Sequence, residues 1–146
     1  MDIVNVKVVQ LNQDAELPEY KTMGSSGFDL RSIEEWLLAP GETHILKTGL
    51  AFEIPLGYEM QIRPRSGLSS KTKVRVPNTP GTVDSDYRGE VGIILENIGD
   101  TPITINKGDR IAQGVIQRVE KANFIAVKNL SDTERGDGGY GSTGIK

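Results

Sequence analysis

The sequence predicts one all-β domain, a sandwich or barrel of many short strands, followed by a polar C-terminal arm. Three observations carry this reading. Apolar and polar residues alternate with period 2 in several stretches, the pattern of strands with one buried face. Turn-forming residues recur at short intervals, and no window offers a long stripe of period 3.6. With 146 residues the chain has room for one core but hardly for two.

Along the chain, Val4, Val6 and Val8 alternate with Asn5 and Lys7, which predicts an opening strand. Ser32–Trp36 is the first stretch able to form a turn or two of helix. Pro40-Gly41 and Pro55-Leu56-Gly57 mark turns. Between them lies the only histidine, His44, within ETHILKT. It reads as an ordinary strand residue, because no carboxylate-rich or serine-bearing motif surrounds it to build a triad or a metal site. Tyr58, Met60 and Ile62 alternate with polar neighbours and predict another strand, and Ser66–Lys71 is the second short helical candidate. EVGIILEN, residues 90–97, is a more continuous apolar run and predicts a strand covered on both faces. Turns at Asn97–Asp100 and Asn106–Asp109 flank the alternating Ile103 and Ile105. RIAQ, 110–113, fits a strand with Ile111 packed inward. From Asn129 the pattern breaks down, so residues 1–128 are expected to form the β-domain and 129–146 a flexible arm.

Composition narrows the function. The net charge of −3 gives no field favouring a polyanion, so direct nucleic-acid binding is not expected and any phosphate site must be built locally from Arg and Lys. The absence of cysteine removes disulfides, thiolate metal sites and cysteine nucleophiles. MDIVNVKVVQ lacks a signal-peptide pattern, and no apolar run is long enough to span a bilayer. The expectation is a cytoplasmic protein, or one of the nucleus or host cytoplasm if eukaryotic or viral.

Five stretches have the make-up of ligand-facing loops. GSSGFDLRS (24–32) sets Asp29 after a glycine-flanked serine pair. RPRSGLSSK (63–71) gathers Arg63, Arg65 and Lys71 around Ser66 and Gly67; it fits either a basic surface turn or a phosphate-binding loop. VPNTPGTVDSDYRGEV (76–91) bends at Pro77, Pro80 and Gly81, then presents Asp84, Asp86 and Tyr87. A calcium loop starting at Asp84 fails, because Arg88 and Leu95 occupy ligand positions. KGDRIAQGVIQRV (107–119) carries Arg110 and Gln113. Finally GGYGSTG (138–144) has the G-x-G-x-x-G spacing at Gly139, Gly141 and Gly144, with no room for the helix that a dinucleotide motif needs. A frayed terminus is one reading of this tail. Arg135 and Tyr140 favour another, an arm that closes over a phosphorylated aromatic ligand. No Walker loop occurs.

In this order SSGFDLRS, PRSGLSSK, GTVDSDYRGEV, GDRIAQGVI and RGDGGYGSTG resemble the five motifs of the trimeric dUTPases, the deoxyuridine triphosphate nucleotidohydrolases, over nearly the whole chain. Departures are Phe28 where Tyr is usual, Gly114 where a larger apolar residue is common, and Tyr140 in place of Phe. Gly114 puts the packing beneath Gln113 in question.

The resemblance implies a jelly-roll-like homotrimer with shared active sites, converting dUTP and water to dUMP and pyrophosphate with Mg²⁺. Such an enzyme keeps uracil out of DNA and supplies dUMP for thymidylate synthesis. By resemblance, Asp84 deprotonates the water that attacks the α-phosphorus, with partial burial and nearby phosphates tuning it for the task. Arg65, Ser66, Gly67, Gln113 and Arg135 match phosphate contacts, with Ser142 and Thr143 near the γ-phosphate and Gly141 beside them in the arm. Asp29 matches a residue holding Mg²⁺ through its waters. Asn78 and the backbone from Gly81 through Val83 to Val91 match the hairpin that reads uracil. Tyr87 matches the ring under the deoxyribose, and Tyr140 the ring stacked on the base. Two other readings stay open: the related dCTP deaminases, and a nucleotide-responsive chain that binds a regulatory protein.

Overall fold

The computed structural model describes residues 2–146. Ten strands and one short helix follow in chain order. They are β1 (Lys7–Gln10), β2 (Phe28–Arg31), β3 (Trp36–Leu38), β4 (Thr43–Glu53), β5 (Tyr58–Arg63), α1 (Ser66–Lys71), β6 (Val74–Arg75), β7 (Gly81–Val83), β8 (Glu90–Asn97), β9 (Ile103–Ile105) and β10 (Arg110–Arg118). Two four-stranded sheets, β1-β4-β8-β6 and β2-β10-β5-β7, enclose the core, and β3-β9 forms a two-stranded ribbon. All pairings are antiparallel, so the expected jelly-roll-like all-β fold is what the chain adopts.

The core is the inward half of each alternating pattern. Leu46, Leu50 and Phe52 of β4 and Val91, Ile93 and Leu95 of β8 face Leu30, Met60, Ile62 and Ile111 from the opposite sheet. Burying such side chains is worth about 1.5–3 kcal/mol each. Most of the predicted turns appear as expected: Gly41, Gly57 and Gly108 take φ of 75°, 93° and 89°, values that side chains disfavour. At the Asn97–Asp100 turn, Asn97 is fully buried, and its side-chain amide donates to Leu38 O at 3.1 Å and Thr101 O at 2.8 Å.

Three expectations need correction. Ser32–Trp36 is not helical. The Ser32 hydroxyl donates to Glu34 O at 2.7 Å and accepts from Glu34 N–H, closing a local turn that competes with a helix, and Trp36 then pairs with Ile105. The β8 strand is not covered equally on both faces. Val91, Ile93, Leu95 and Asn97 are buried while Gly92, Ile94 and Glu96 are half-exposed, because its sheet packs on the core from one side. The opening strand starts only at Lys7, opposite Glu53; β4 ends there, which leaves Val4 and Val6 beyond its ladder.

Candidate active site

Strand register builds a first cleft. Asp29 on β2 lies opposite Gln113 on β10, which lies opposite Arg63 on β5. After Arg63 the chain turns at Pro64, and Arg65, with extended φ/ψ of −92° and 136°, leads into α1. The Arg65 Nε–H donates to Asp29 Oδ1 at 2.9 Å, and Arg110 Nη1 lies 3.6 Å from Asp29 Oδ2. Gln113 Nε2 donates to Pro64 O at 3.0 Å. A side chain at Gly27 would collide with the Gln113 carboxamide, so glycine there lets Gln113 reach the cleft floor. The cleft of ≈ 360 Å³ is lined by Asp29, Arg65, Ser66, Gly67 and Gln113, and also by Lys21, Ser25, Ser26 and Arg110.

Its charge is uneven. Arg65 and Arg110 share one carboxylate, whereas Lys21 has none within ion-pair reach among the described residues. Three cations against one anion suit a polyphosphate. The lining contains one carboxylate, and no group of three His, Cys, Asp or Glu gathers among the described residues. This donor set fits a magnesium ion that arrives on the polyphosphate and meets the protein through its waters, not one held in a protein cage.

A second cleft, of ≈ 250 Å³, lies along the β7–β8 hairpin. Asn78, Gly81, Val83, Asp84, Tyr87 and Val91 all line it, joined by Ile62, Thr82 and Glu90. A Cβ on Gly81 would stand 3.0 Å from Asn78 Nδ2 and 3.3 Å from Ile62 Cβ, so glycine admits the close approach of Asn78. The Tyr87 hydroxyl donates to Glu90 O at 2.9 Å, and a side chain on Gly89 would run into the Tyr87 ring. Tyr87 N–H closes the loop on Asp84 O at 3.2 Å. The Asp84 carboxylate has no hydrogen-bond or ion-pair partner among the described residues, and in the single chain Asp84 is exposed rather than partly buried.

The two clefts share no lining residue. The arm joins neither. Within it Arg135 Nε donates to Gly138 O at 2.8 Å, Gly136 N–H donates to Thr133 Oγ1, and Ser142 N–H to Gly139 O. Tyr140, Gly141, Ser142 and Thr143 are exposed, and Tyr140 takes φ 51° between glycines. Ahead of the arm, Phe124, Ile125, Val127 and Leu130 are also uncovered. His44 lies outside both clefts, stacked on Trp36 with ring centroids 3.6 Å apart.

Gly114 does not loosen the site. A Cβ there would lie 2.5 Å from Phe28 Cε2 and 2.8 Å from Met60 Sδ; the Phe28 ring fills the space a larger residue would take. Sequence reasoning placed Arg110 in a ligand-facing loop but gave it no role. It took in Glu90 only as part of the 76–91 hairpin, with no role of its own, and missed Lys21, which stands in no pattern that announces a ligand.

A family model described as dUTPase matches residues 13–144. The chain belongs to the dUTPase family. The deoxyuridine 5'-triphosphate nucleotidohydrolase of Nautilia profundicola is 55% identical over 141 residues, covering 97% of this chain and 99% of the relative. That of Helicobacter pylori strain Shi470 is 47% identical, covering 97% and 98%. Among solved structures, the Staphylococcus bacteriophage 80alpha dUTPase with dUpNHpp superposes with a TM-score of 0.91 at 30% identity, covering 97% of this chain and 99% of that one. A dUTPase variant from phage phi11 of S. aureus, described as coordinating a structural Mg(II) ion, has a TM-score of 0.83 at 27% identity, covering 88% and 99%. The dUTPase match extends to Gly144 and so takes in the arm, whose hydrogen bonds among the described residues all stay within it.

Proposed function

We infer that this dUTPase hydrolyses dUTP to dUMP and pyrophosphate, removing a precursor of uracil in DNA and supplying dUMP for thymidylate synthesis. The observation that carries the reading is the division of labour between the clefts. One offers an unpaired carboxylate beside an aromatic ring and a backbone hairpin; the other offers guanidinium, ammonium and hydroxyl groups.

In the hairpin cleft, Asn78 and the backbone of Gly81, Val83 and Val91 pair with the uracil edge. A cytosine edge presents its donors and acceptors differently and leaves buried partners unpaired. Tyr87 packs under the deoxyribose. Asp84, free of any partner, accepts the proton of the attacking water. Arg65, Ser66, Gly67 and Gln113 grip the phosphates, and Arg110 and Lys21 add to the cleft's positive charge. Asp29 retains lone pairs beyond its guanidinium partners, so it is the carboxylate that would receive the waters of Mg²⁺. Bound there, the ion would neutralise charge on the phosphate oxygens. The arm then closes, Arg135, Gly141, Ser142 and Thr143 on the phosphates and Tyr140 on the base, and water is excluded.

Two clefts without a common residue, an arm hydrogen-bonded only to itself among the described residues and an uncovered apolar run at Phe124–Leu130 together support a homotrimer in which neighbouring copies complete each site. A regulatory protein partner is a secondary proposal. Phage 80alpha dUTPases are described as controlling transfer of virulence genes, and a pull-down with and without dUTP tests the same for this chain. No helix among the described residues is long and apolar enough to cross a membrane, and we place the enzyme in the cytoplasm. Pyrophosphate release measured over dUTP, dCTP, dTTP and UTP tests the activity. Strong preference for dUTP is expected, and ammonia release from dCTP would overturn it in favour of a deaminase.

A further inference from the structure

The base cleft depends on an irregularity in a strand that does not line it. The β4–β8 ladder pairs Lys47 with Gly92 and then Ala51 with Glu90, so β4 spends two more residues than β8 between these pairs. Thr48, Gly49 and Leu50 therefore bulge out of the ladder, with Gly49 at φ 71°. A Cβ on Gly49 would stand 2.8 Å from Ala15 Cβ, so the bulge is packed against the N-terminal segment and is not a loose excursion.

Side chains replace the lost ladder bonds. The Thr48 hydroxyl, 2% exposed, donates to Val91 O at 2.6 Å and accepts from Leu50 N–H at 3.3 Å. The Glu90 carboxylate reaches back across the sheet, where its Oε2 accepts from Gly49 N–H at 2.8 Å. Both bonds hold the first two residues of β8. Those residues form one wall of the hairpin cleft, and the Glu90 carbonyl is the acceptor for the Tyr87 hydroxyl. A charge-assisted bond to the carboxylate and a buried hydroxyl bond are the stronger members of their class. The position of the Tyr87 ring is thus set from behind by the β4 bulge.

We propose that Thr48 and Glu90 are positioning residues for sugar selection: they clamp the start of β8 to the β4 bulge and so fix the ring on which deoxyribose is distinguished from ribose. This rests on the reading of Tyr87 as the platform under the sugar. Neither residue touches the reacting atoms. Loosening the clamp lets the ring recede and makes room for a 2′-hydroxyl, so selectivity suffers more than turnover.

The test is the ratio of kcat/KM for dUTP to that for UTP, measured with the full chain and its Tyr87→Ala, Glu90→Ala, Glu90→Gln, Thr48→Val and Thr48→Ser variants. Glu90→Ala and Thr48→Val are expected to lower the ratio by roughly tenfold, chiefly through a lower KM for UTP. Glu90→Gln and Thr48→Ser keep an acceptor and a hydroxyl in place, so they should hold the ratio within about threefold of the parent. A ratio unchanged in Glu90→Ala and Thr48→Val, while Tyr87→Ala relaxes it, overturns the proposal. A ratio unchanged in Tyr87→Ala overturns the underlying reading of the sugar platform. Should Glu90→Ala fail to fold, the near-isosteric Thr48→Val against Thr48→Ser decides.

Discussion

Asp29→Asn separates two roles that one carboxylate could play in the phosphate cleft. The side chain is only 18% exposed and lies 2.9 Å from Arg65 and 3.6 Å from Arg110. At an effective permittivity near 20, each attraction is on the order of 5 kcal/mol before the cost of desolvation offsets most of it. Asparagine keeps an oxygen for the Arg65 N–H, so the net loss of stability should be about 1–2 kcal/mol. The effect on catalysis has a definite sign. Removing the one anion leaves Lys21, Arg65 and Arg110 unopposed, which strengthens ground-state attraction for a triphosphate. The guanidinium groups, however, lose the anchor that orients them. We expect KM to stay level or fall while kcat drops by roughly 10–100-fold. Urea unfolding gives the stability, and steady-state pyrophosphate release gives the kinetic split. A raised KM with normal kcat would refute the reasoning. Recovery of kcat at high Mg²⁺ would trace the loss to the metal-holding role of Asp29, and loss that persists there to the orientation of the arginines.

Asp84→Asn retains shape and the capacity to hydrogen-bond a water but loses the base, so turnover should fall by roughly 10²–10⁴ while a non-hydrolysable dUTP analogue still binds by calorimetry. Deleting residues 133–146 should leave the thermal midpoint of unfolding nearly unchanged, because every hydrogen bond of that segment stays within it; turnover should nonetheless collapse, far more than dUTP affinity. The Glu53 carboxyl titrates below its ordinary range, held down first by its bond to Lys7 and then by Arg88. Its contribution to stability is therefore complete above the unfolded pKa and lost as pH falls through the depressed folded one. An NMR titration should find that low midpoint, and Lys7→Met should raise it.

Much of this was legible in the sequence because the strands that frame the clefts alternate cleanly. Tyr58–Arg63 could be read residue by residue and Ser66–Lys71 forms the short helix that its spacing suggests, whereas the continuous apolar run of Glu90–Asn97 hid which of its faces is the buried one. The six hairpin residues and the five at the phosphate cleft fall into just two pockets. What escaped were features made by partners distant in the chain. The sharing of Asp29 by Arg65 and Arg110 depends on three strands meeting in register. The Thr48–Gly49 bulge hides in a strand whose buried threonine looks polar and outward-facing. The Ser32 turn escaped because a serine beside Ile, Glu and Trp suits a helix start as well as a bend, and only the pairing of Trp36 with Ile105 decides it. The fit of Phe28 against Gly114 joins two departures from the family pattern that looked unrelated.

Subunit complementation tests the account most directly, because it asks whether the two clefts of different copies make one site. Asp84→Asn chains keep an intact phosphate cleft, and Arg65→Ala chains keep an intact hairpin cleft. Each variant alone should be nearly inactive. Unfolded together in equal amounts and refolded into mixed assemblies, they should recover about a quarter of the parental sites, since random neighbours bring the two intact halves together at that frequency. Pyrophosphate release at that level is the predicted result. Mixed assemblies that remain as inactive as either parent variant would place both clefts of each site on a single chain and contradict the account.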